Sequence, residues 1–148
     1  MVGIIDYGVG NLFSLQSSFK AIGEDAFVSS QASELSKADR LVLPGVGAFE
    51  DAVKKLRQSH LDEMVYEAVR EGKPLMGICL GMQLLFERSY EYGEHFGLGL
   101  LKGQVVGMSG KLPADLKIPH MGWNALELTK PARLLENGSY VYFVHSFY

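Results

Sequence analysis

Residues 75–87 read LMGICLGMQLLFE, and this stretch decides how the rest of the sequence is interpreted. The apolar run from Leu75 to Ile78 predicts a buried strand, and Met82 to Glu87 predicts a helix. Between them, Gly77-Ile78-Cys79-Leu80-Gly81 has the form of a nucleophile elbow, a sharp turn from strand to helix. A lone cysteine is usually a small core residue. Its place between two glycines at a strand–helix junction instead favours Cys79 as a catalytic nucleophile.

The predicted turn suits nucleophilic chemistry. Glycine at positions 77 and 81 leaves room where a side chain would clash. The sulfur of Cys79 would then lie at a helix N-terminus, where unpaired N–H groups and the positive end of the helix dipole favour a thiolate. The N–H of Leu80 is a candidate oxyanion donor. A second donor could come from Pro44 to Phe49 (PGVGAF), although this segment alone also fits an ordinary strand-to-helix turn.

In the first half of the chain, short apolar runs alternate with segments whose apolar residues recur at helical spacing. The predicted strands are Val2–Ile5, Ala26–Val28, Leu41–Leu43 and Leu75–Ile78. The predicted helix faces are Leu12, Leu15, Phe19 and Ile22 (with Asn11 as N-cap), then Phe49, Val53 and Leu56, then Leu61, Val65, Ala68 and Val69. Strands that are apolar on both faces and separated by such helices indicate a three-layer α/β sandwich around a mostly parallel sheet.

The second half is richer in β-structure and glycine. Strands are predicted around Val105–Val106, over Ala125–Leu128 and over Tyr140–Val144. We expect one domain over residues 1–148. Because the last residues, Tyr140 to Tyr148, are strongly apolar, we also expect the sequence to be incomplete at its C-terminus.

Composition narrows the possible partners. The formal net charge is -3 and the basic residues are scattered, which argues against nucleic acid and anionic membranes. Apolar runs are too short to span a bilayer, and the N-terminus lacks a signal-peptide pattern. A single cysteine excludes an intramolecular disulfide and a multi-cysteine zinc site, and it favours a cytoplasmic location. The partner is therefore a small molecule, another protein, or both.

Two other chemical interpretations are weak. The glycine-rich turns lack the third glycine of a dinucleotide motif, because Phe13 and Glu50 occupy the required positions. Among the histidines, His60 lies near Asp62, and His145 follows a predicted strand. Asp62 is better explained as a first-turn helix charge, and no acid lies near His145 in sequence. Neither histidine is favoured as the catalytic base, although sequence leaves spatial proximity open.

Five segments together resemble a known family. Residues 77–83 (GICLGMQ) resemble the nucleophile segment of class I glutamine amidotransferases. Residues 6–11 (DYGVGN), 44–49 (PGVGAF), 119–124 (PHMGWN) and 142–146 (YFVHS) resemble, in the same order, the glutaminase subunits of imidazole glycerol phosphate synthase. PHMGWN is the most family-specific of these segments.

The resemblance implies a mechanism. Glutamine would be hydrolysed to glutamate and ammonia without a cofactor or metal, through a γ-glutamyl thioester on Cys79. The ammonia would pass to a (β/α)₈-barrel subunit that makes imidazole glycerol phosphate in histidine biosynthesis. The implied oxyanion donors are the Leu80 N–H and the Val46–Gly47 peptide. The implied glutamine ligands are Gly47, Gln83, Glu91 and Ser146, and the implied partner face contains Asn11, Trp123 and Tyr142. For Trp123, packing in the core is an alternative.

One part of the family pattern is missing. Family members carry a later His-Pro-Glu segment that supplies the base and its orienting carboxylate, and nothing in these 148 residues matches it. The chain as given is therefore expected to have negligible glutaminase activity. Two alternatives are a catalytically silent module that only binds the partner, and a cysteine hydrolase for another acyl substrate. The PHMGWN segment argues against the second.

Overall fold

The computed structural model describes residues 1–113 and 115–148. These residues form two compact units, Met1–Val105 and Val106–Tyr148. The expectation of one domain over residues 1–148 stays a prediction.

The first unit alternates strands and helices. Its strands are β1 (Val2–Ile5), β2 (Ala26–Ser29), β3 (Arg40–Leu43), β4 (Leu75–Gly77), β5 (Phe86–Ser89), β6 (His95–Phe96) and β7 (Leu101–Val105). Its helices are α1 (Leu12–Ala21), α2 (Ala32–Leu35), α3 (Phe49–Gln58), α4 (Leu61–Arg70) and α5 (Leu80–Gln83). The predicted N-cap of α1 is confirmed, because the Asn11 side chain accepts a hydrogen bond from the Ser14 N–H at 3.2 Å. The predicted β1 to β4 and the helices α1, α3 and α4 are therefore all present.

A parallel sheet forms the centre of this unit. Its strand order is β2-β1-β3-β4, and every neighbouring pair is parallel. Alternate residues of β1 and β3 point to opposite faces, as the period of a strand requires. Val2, Ile4 and Val42 pack with apolar residues of α1, whereas Ile5, Leu41 and Leu43 pack with the buried faces of α3 and α4. Helices therefore cover both faces, which confirms the predicted α/β sandwich.

The strand order places a crevice at the carboxyl end of the sheet, where the connections after β1 and β3 diverge. The chain passes from β1 outward to β2, and from β3 outward in the opposite direction to β4. The connections after β1 and β3 therefore diverge at their carboxyl ends, where open α/β sheets bind ligands. At this end of the sheet, Asp6–Gly10 follows β1 and Pro44–Ala48 follows β3. Cys79 follows the adjacent strand β4.

The segment after Cys79 departs from the prediction. Helix α5 ends at Gln83, and Phe86–Ser89 is strand β5 of a second sheet with the order β6-β5-β7. The predicted helix over Met82–Glu87 is therefore wrong beyond Gln83. Leu84 and Leu85 are buried in the turn between the two elements, so their apolar character does not require a helix. Because α5 is a single turn, few peptide dipoles are aligned behind Cys79, and the helix dipole there is weaker than predicted.

The second unit contains an antiparallel pair of strands, β8 (His120–Ala125) and β9 (Tyr140–His145). The predicted strand at Tyr140–Val144 is confirmed. The predicted strand at Ala125–Leu128 is wrong, because the strand ends at Ala125 and the Leu128 N–H donates to the Asn137 side chain, not to a neighbouring strand. The strand predicted around Val105–Val106 is β7, which ends at Val105.

None of the helices in residues 1–113 and 115–148 is both long enough and apolar enough to cross a membrane.

Candidate active site

Cys79 occupies a strained turn between β4 and α5. Its backbone angles are φ 55° and ψ −122°, and its side chain is exposed. A positive φ is uncommon for a residue other than glycine and costs on the order of 1–3 kcal/mol, so it persists only where the surroundings enforce it. The strand ends two residues before Cys79 and the helix begins immediately after it. The nucleophile elbow predicted from sequence is therefore the geometry that the chain adopts.

The flanking glycines enforce this turn. A Cβ on Gly77 would lie 2.4 Å from the Cα of Met82, and a Cβ on Gly81 would lie 2.0 Å from the carbonyl oxygen of Leu43. Both distances are far below van der Waals contact, and both neighbours are backbone atoms that cannot turn away. Only glycine fits at these two positions, because the elbow packs directly against itself and against the end of β3.

The loop after β3 lies against the elbow. Pro44 and Gly45 are buried, and a Cβ on Gly45 would lie 2.5 Å from the Gly81 nitrogen. Val46 and Gly47 follow as exposed residues, with Gly47 at φ 87°. The neighbouring Leu80 opens α5, and the first N–H groups of a helix have no partner within the helix. The structure thus brings together the two segments that were predicted to supply oxyanion donors.

Glu91 ties a further segment to this loop. Its Oε2 accepts a hydrogen bond from the Phe49 N–H at 2.7 Å, directly after Pro44–Ala48. Glu91 is half-buried and lies in the connection between β5 and β6. The carboxylate therefore caps the start of α3 and fixes the downstream end of the loop.

The other predicted glutamine ligands are divided between the two units. Gln83 is half-buried at the end of α5, and its backbone N–H donates to the Cys79 carbonyl at 3.2 Å. Gln83, Glu91 and Gly47 therefore belong to the unit that carries Cys79. Ser146 belongs to the second unit, where its carbonyl accepts from the Met108 N–H at 3.0 Å. Its role at the glutamine site stays a prediction.

The histidines that sequence disfavoured as a base have other partners. His60 contacts the Glu63 carboxylate at 3.1 Å and lines a groove with Ser36 and Lys73, which precede the amino ends of β3 and β4. Cys79 follows the opposite, carboxyl end of β4. In the second unit, His145 contacts His120, with Nε2 of the first 3.2 Å from Nδ1 of the second. These contacts agree with structural roles for both residues.

Tyr7 is a residue of this region that sequence reasoning missed. Its side chain is buried, and its hydroxyl donates to the Pro44 carbonyl at 2.7 Å. Burial raises the pKa of the Tyr7 hydroxyl, so the group stays protonated and remains a donor. The only feature of the sequence that indicated a role for Tyr7 was its position just after β1, at the same end of the sheet as the loop after β3.

The second unit presents an exposed aromatic face. Trp123 and Tyr142 lie opposite each other on β8 and β9, with ring centroids 5.5 Å apart in an edge-to-face arrangement. Trp123 is 68% exposed, which does not agree with packing in the core of this unit. Met121 and Val144 are exposed on the same face of the strand pair. In the first unit, the predicted partner residue Asn11 is also exposed.

Known proteins are similar to this chain in sequence and in fold. The family model of the CobB/CobQ-like glutamine amidotransferase domain matches residues 7–125. The imidazole glycerol phosphate synthase subunit HisH of Caldanaerobacter subterraneus is 50% identical over 151 aligned positions, which cover 100% of this chain and 72% of that protein. The subunit of the same name from Aquifex aeolicus is 51% identical, covering 97% of this chain and 70% of that protein. A crystal structure of glutamine amidotransferase superposes with a TM-score of 0.74 over 97% of this chain and 70% of that one; at 22% identity it supports the fold alone.

Proposed function

This chain belongs to the HisH family of glutamine amidotransferases, and on that premise we propose that it cleaves the side-chain amide of glutamine through Cys79. The observation that carries the proposal is the enforced positive φ of Cys79 between two glycines that tolerate no Cβ. Such a turn holds the sulfur exposed above the end of the sheet. We propose that backbone N–H groups lie beside the sulfur, as attack on an amide carbonyl requires.

The proposed reaction follows from this arrangement. The Cys79 thiolate attacks the amide carbon of glutamine, and the carbonyl oxygen becomes an oxyanion. The Leu80 N–H and the Val46–Gly47 peptide stabilise that charge. Collapse of the tetrahedral intermediate breaks the C–N bond, the amide nitrogen takes a proton from water and leaves as ammonia, and a γ-glutamyl thioester remains. Water then hydrolyses the thioester to glutamate and regenerates the thiol.

The α-ammonium group of glutamine needs an acidic partner. We propose that Glu91, Gln83, Ser146 and the backbone of Gly47 bind the substrate. For Glu91, one carboxylate oxygen holds the Phe49 N–H and the second can pair with the substrate's α-ammonium group. Binding of glutamine would thus use the carboxylate that also fixes the loop beside Cys79.

The proposed fate of the ammonia is transfer to a barrel-shaped synthase subunit in histidine biosynthesis, in the cytoplasm. The similar proteins are named as subunits of imidazole glycerol phosphate synthase. The exposed aromatic pair of Trp123 and Tyr142 supports a protein partner, because apolar patches with aromatic residues are typical of interfaces. Asn11 is proposed as a further contact with the same partner.

Chemical labelling tests the proposed substrate. A chloroketone that mimics glutamine should alkylate Cys79, the only cysteine of the chain, to give one adduct per molecule by mass spectrometry. L-glutamine should slow the labelling, whereas D-glutamine at the same concentration should not. Equal labelling rates with and without L-glutamine would contradict the proposal and favour a hydrolase for another acyl group. Binding of the barrel subunit with no labelling at all would favour a silent partner-binding module.

Glutamine turnover by these 148 residues alone is expected to be very slow. They contain no His-Pro-Glu segment, so the protonation of the leaving ammonia lacks its acid. General acid–base assistance contributes about 10²–10⁴-fold, and we expect a deficit of that size against the HisH subunit of Aquifex aeolicus. Glutamate release, measured for both proteins with the same barrel subunit, checks this. Comparable rates would show that another group of this chain supplies the proton.

A further inference from the structure

Tyr7 is connected to the loop beside Cys79 by a buried hydrogen bond. Its hydroxyl donates to the Pro44 carbonyl at 2.7 Å, and the Tyr7 side chain is only 5% exposed. Tyr7 follows β1 and Pro44 follows β3, so the bond joins the two diverging connections at the crevice of the sheet. No step of the proposed reaction uses this hydroxyl.

This bond fixes the first peptide of the loop. The Pro44 carbonyl and the Gly45 N–H belong to one planar peptide group, so holding the oxygen also sets the direction of the N–H. The proline ring restricts φ on one side of that group. On the other side, Gly45 is packed so closely against the first turn of α5 that a Cβ there would lie 2.9 Å from the Leu80 carbonyl carbon. The start of the loop is thereby held against the elbow.

The Val46–Gly47 peptide depends on this anchored start. Both residues are exposed, and a Cβ on Gly47 would meet nothing within 4 Å. The next fixed point is the Phe49 N–H, which is bound by Glu91. The Val46–Gly47 peptide, the proposed oxyanion donor, therefore lies in a short segment that is held at both ends. Glu91 holds the downstream end, and Tyr7 holds the upstream end.

We propose that Tyr7 is a positioning residue for the oxyanion-binding loop, acting through the Pro44 carbonyl. The inference rests on the proposed glutaminase chemistry and extends it to a residue outside the reacting set. Loss of the hydroxyl leaves the Pro44 carbonyl buried without its donor, and the peptide group turns to find another partner. A misplacement of about 1 Å in a reacting group can cost about 10²-fold in rate. We therefore expect Tyr7→Phe to slow oxyanion-dependent reactions of Cys79 by about 10- to 100-fold.

Two reagents separate positioning from general damage. The glutamine-mimicking chloroketone reacts through a tetrahedral adduct whose carbonyl oxygen is an oxyanion. The sulfur then displaces chloride from the neighbouring carbon, and the bond from sulfur to the carbonyl carbon breaks as the ketone re-forms. Iodoacetamide alkylates the same sulfur by direct displacement of iodide and forms no oxyanion. In Tyr7→Phe, the saturating rate constant for the chloroketone should fall by about 10- to 100-fold. The iodoacetamide rate should stay within about 3-fold of the wild-type value.

Tyr66 provides a matched control. Its hydroxyl also donates to a backbone carbonyl, that of Leu98, at 2.9 Å, and its ring packs against the same core cluster as Tyr7. Leu98 is not part of the loop or of the elbow. Tyr66→Phe should therefore leave both labelling rates unchanged. Tyr7→4-aminophenylalanine, which keeps an N–H donor at the same place, should restore most of the chloroketone rate.

The outcomes distinguish the inference from the proposed function. If the wild-type chain shows no protection by L-glutamine, the proposed function fails and the role of Tyr7 fails with it. If wild-type labelling is glutamine-specific but Tyr7→Phe reacts at the wild-type rate, the positioning role alone is overturned. An equal loss with iodoacetamide, or a folded 4-aminophenylalanine variant as slow as Tyr7→Phe, would also overturn it. Circular dichroism of each variant shows whether it is folded.

Discussion

Gly81→Ala is expected to lower the free energy of unfolding by more than about 3 kcal/mol, or to prevent folding altogether. The new Cβ would lie 2.0 Å from the Leu43 carbonyl oxygen and 2.8 Å from the Pro44 carbonyl carbon. Overpacking a core usually costs about 1–3 kcal/mol because side chains yield; here the opposing atoms are the backbone of a central strand and the loop after it. Urea unfolding followed by circular dichroism measures the change.

Gly72→Ala is the control for that experiment. Gly72 also has a positive φ, of 82°, but a Cβ there would meet nothing within 4 Å. This variant therefore carries only the backbone cost of a left-handed conformation, about 1–2 kcal/mol. If Gly81→Ala were no more harmful than Gly72→Ala, the elbow could move away from β3, and the close packing that fixes Cys79 would not be required.

Cys79→Ala is expected to reduce acylation by a γ-glutamyl aryl ester by at least about 10⁴-fold. An aryloxide leaves without being protonated, so this substrate needs the nucleophile and the proposed oxyanion donors but no general acid. Removing the nucleophile eliminates the covalent route. Stopped-flow absorbance of the released phenol, expected as a burst of one equivalent from the wild-type chain, measures the rate.

His60→Ala is the matched control for acylation. His60 lies in a groove with residues that precede the amino ends of the strands, and its partner is Glu63. Its removal should leave the burst unchanged. A burst that survives in Cys79→Ala would mean that the nucleophile has been wrongly assigned, and one that disappears in His60→Ala would mean that His60 takes part in acylation.

The central sheet and the elbow could be predicted because their signals are local. Runs such as Leu41–Leu43 are apolar on both faces and end at Pro44-Gly45, which stops a strand whatever surrounds it. Glycine is needed on either side of Cys79 because a larger residue would clash, and the structure shows the contacts responsible. Local sequence was sufficient wherever a residue's own neighbours determine the backbone.

Strand β5 could not be predicted, because its formation depends on a distant partner. Leu84, Leu85 and Phe86 are apolar at positions that fit the end of a helix, and Phe86 instead pairs with Leu101 on β7. The position of strand β8 was predicted wrongly for a similar reason. Its PHMGWN segment contains Gly122, a poor strand former, and the pairing of Gly122 with Phe143 on β9 decides the structure.

The contacts around the site were equally hidden. The bond from Tyr7 to Pro44 spans 37 residues of sequence, and the bond from Phe49 to Glu91 spans 42. Neither the spacing of apolar residues nor a motif indicates such a pairing, because each of the two residues is compatible with many surroundings. The turn around Cys79 was visible in the sequence, whereas the contacts that hold the loop beside it became visible only in the structure.

The most direct measurement is the intact mass of the wild-type chain after brief exposure to the γ-L-glutamyl aryl ester, followed by peptide mapping. The account predicts a single γ-glutamyl group on Cys79, formed much faster than the acyl group from a butanoyl ester of the same phenol. An unmodified Cys79, or equal rates for the two esters, would contradict it.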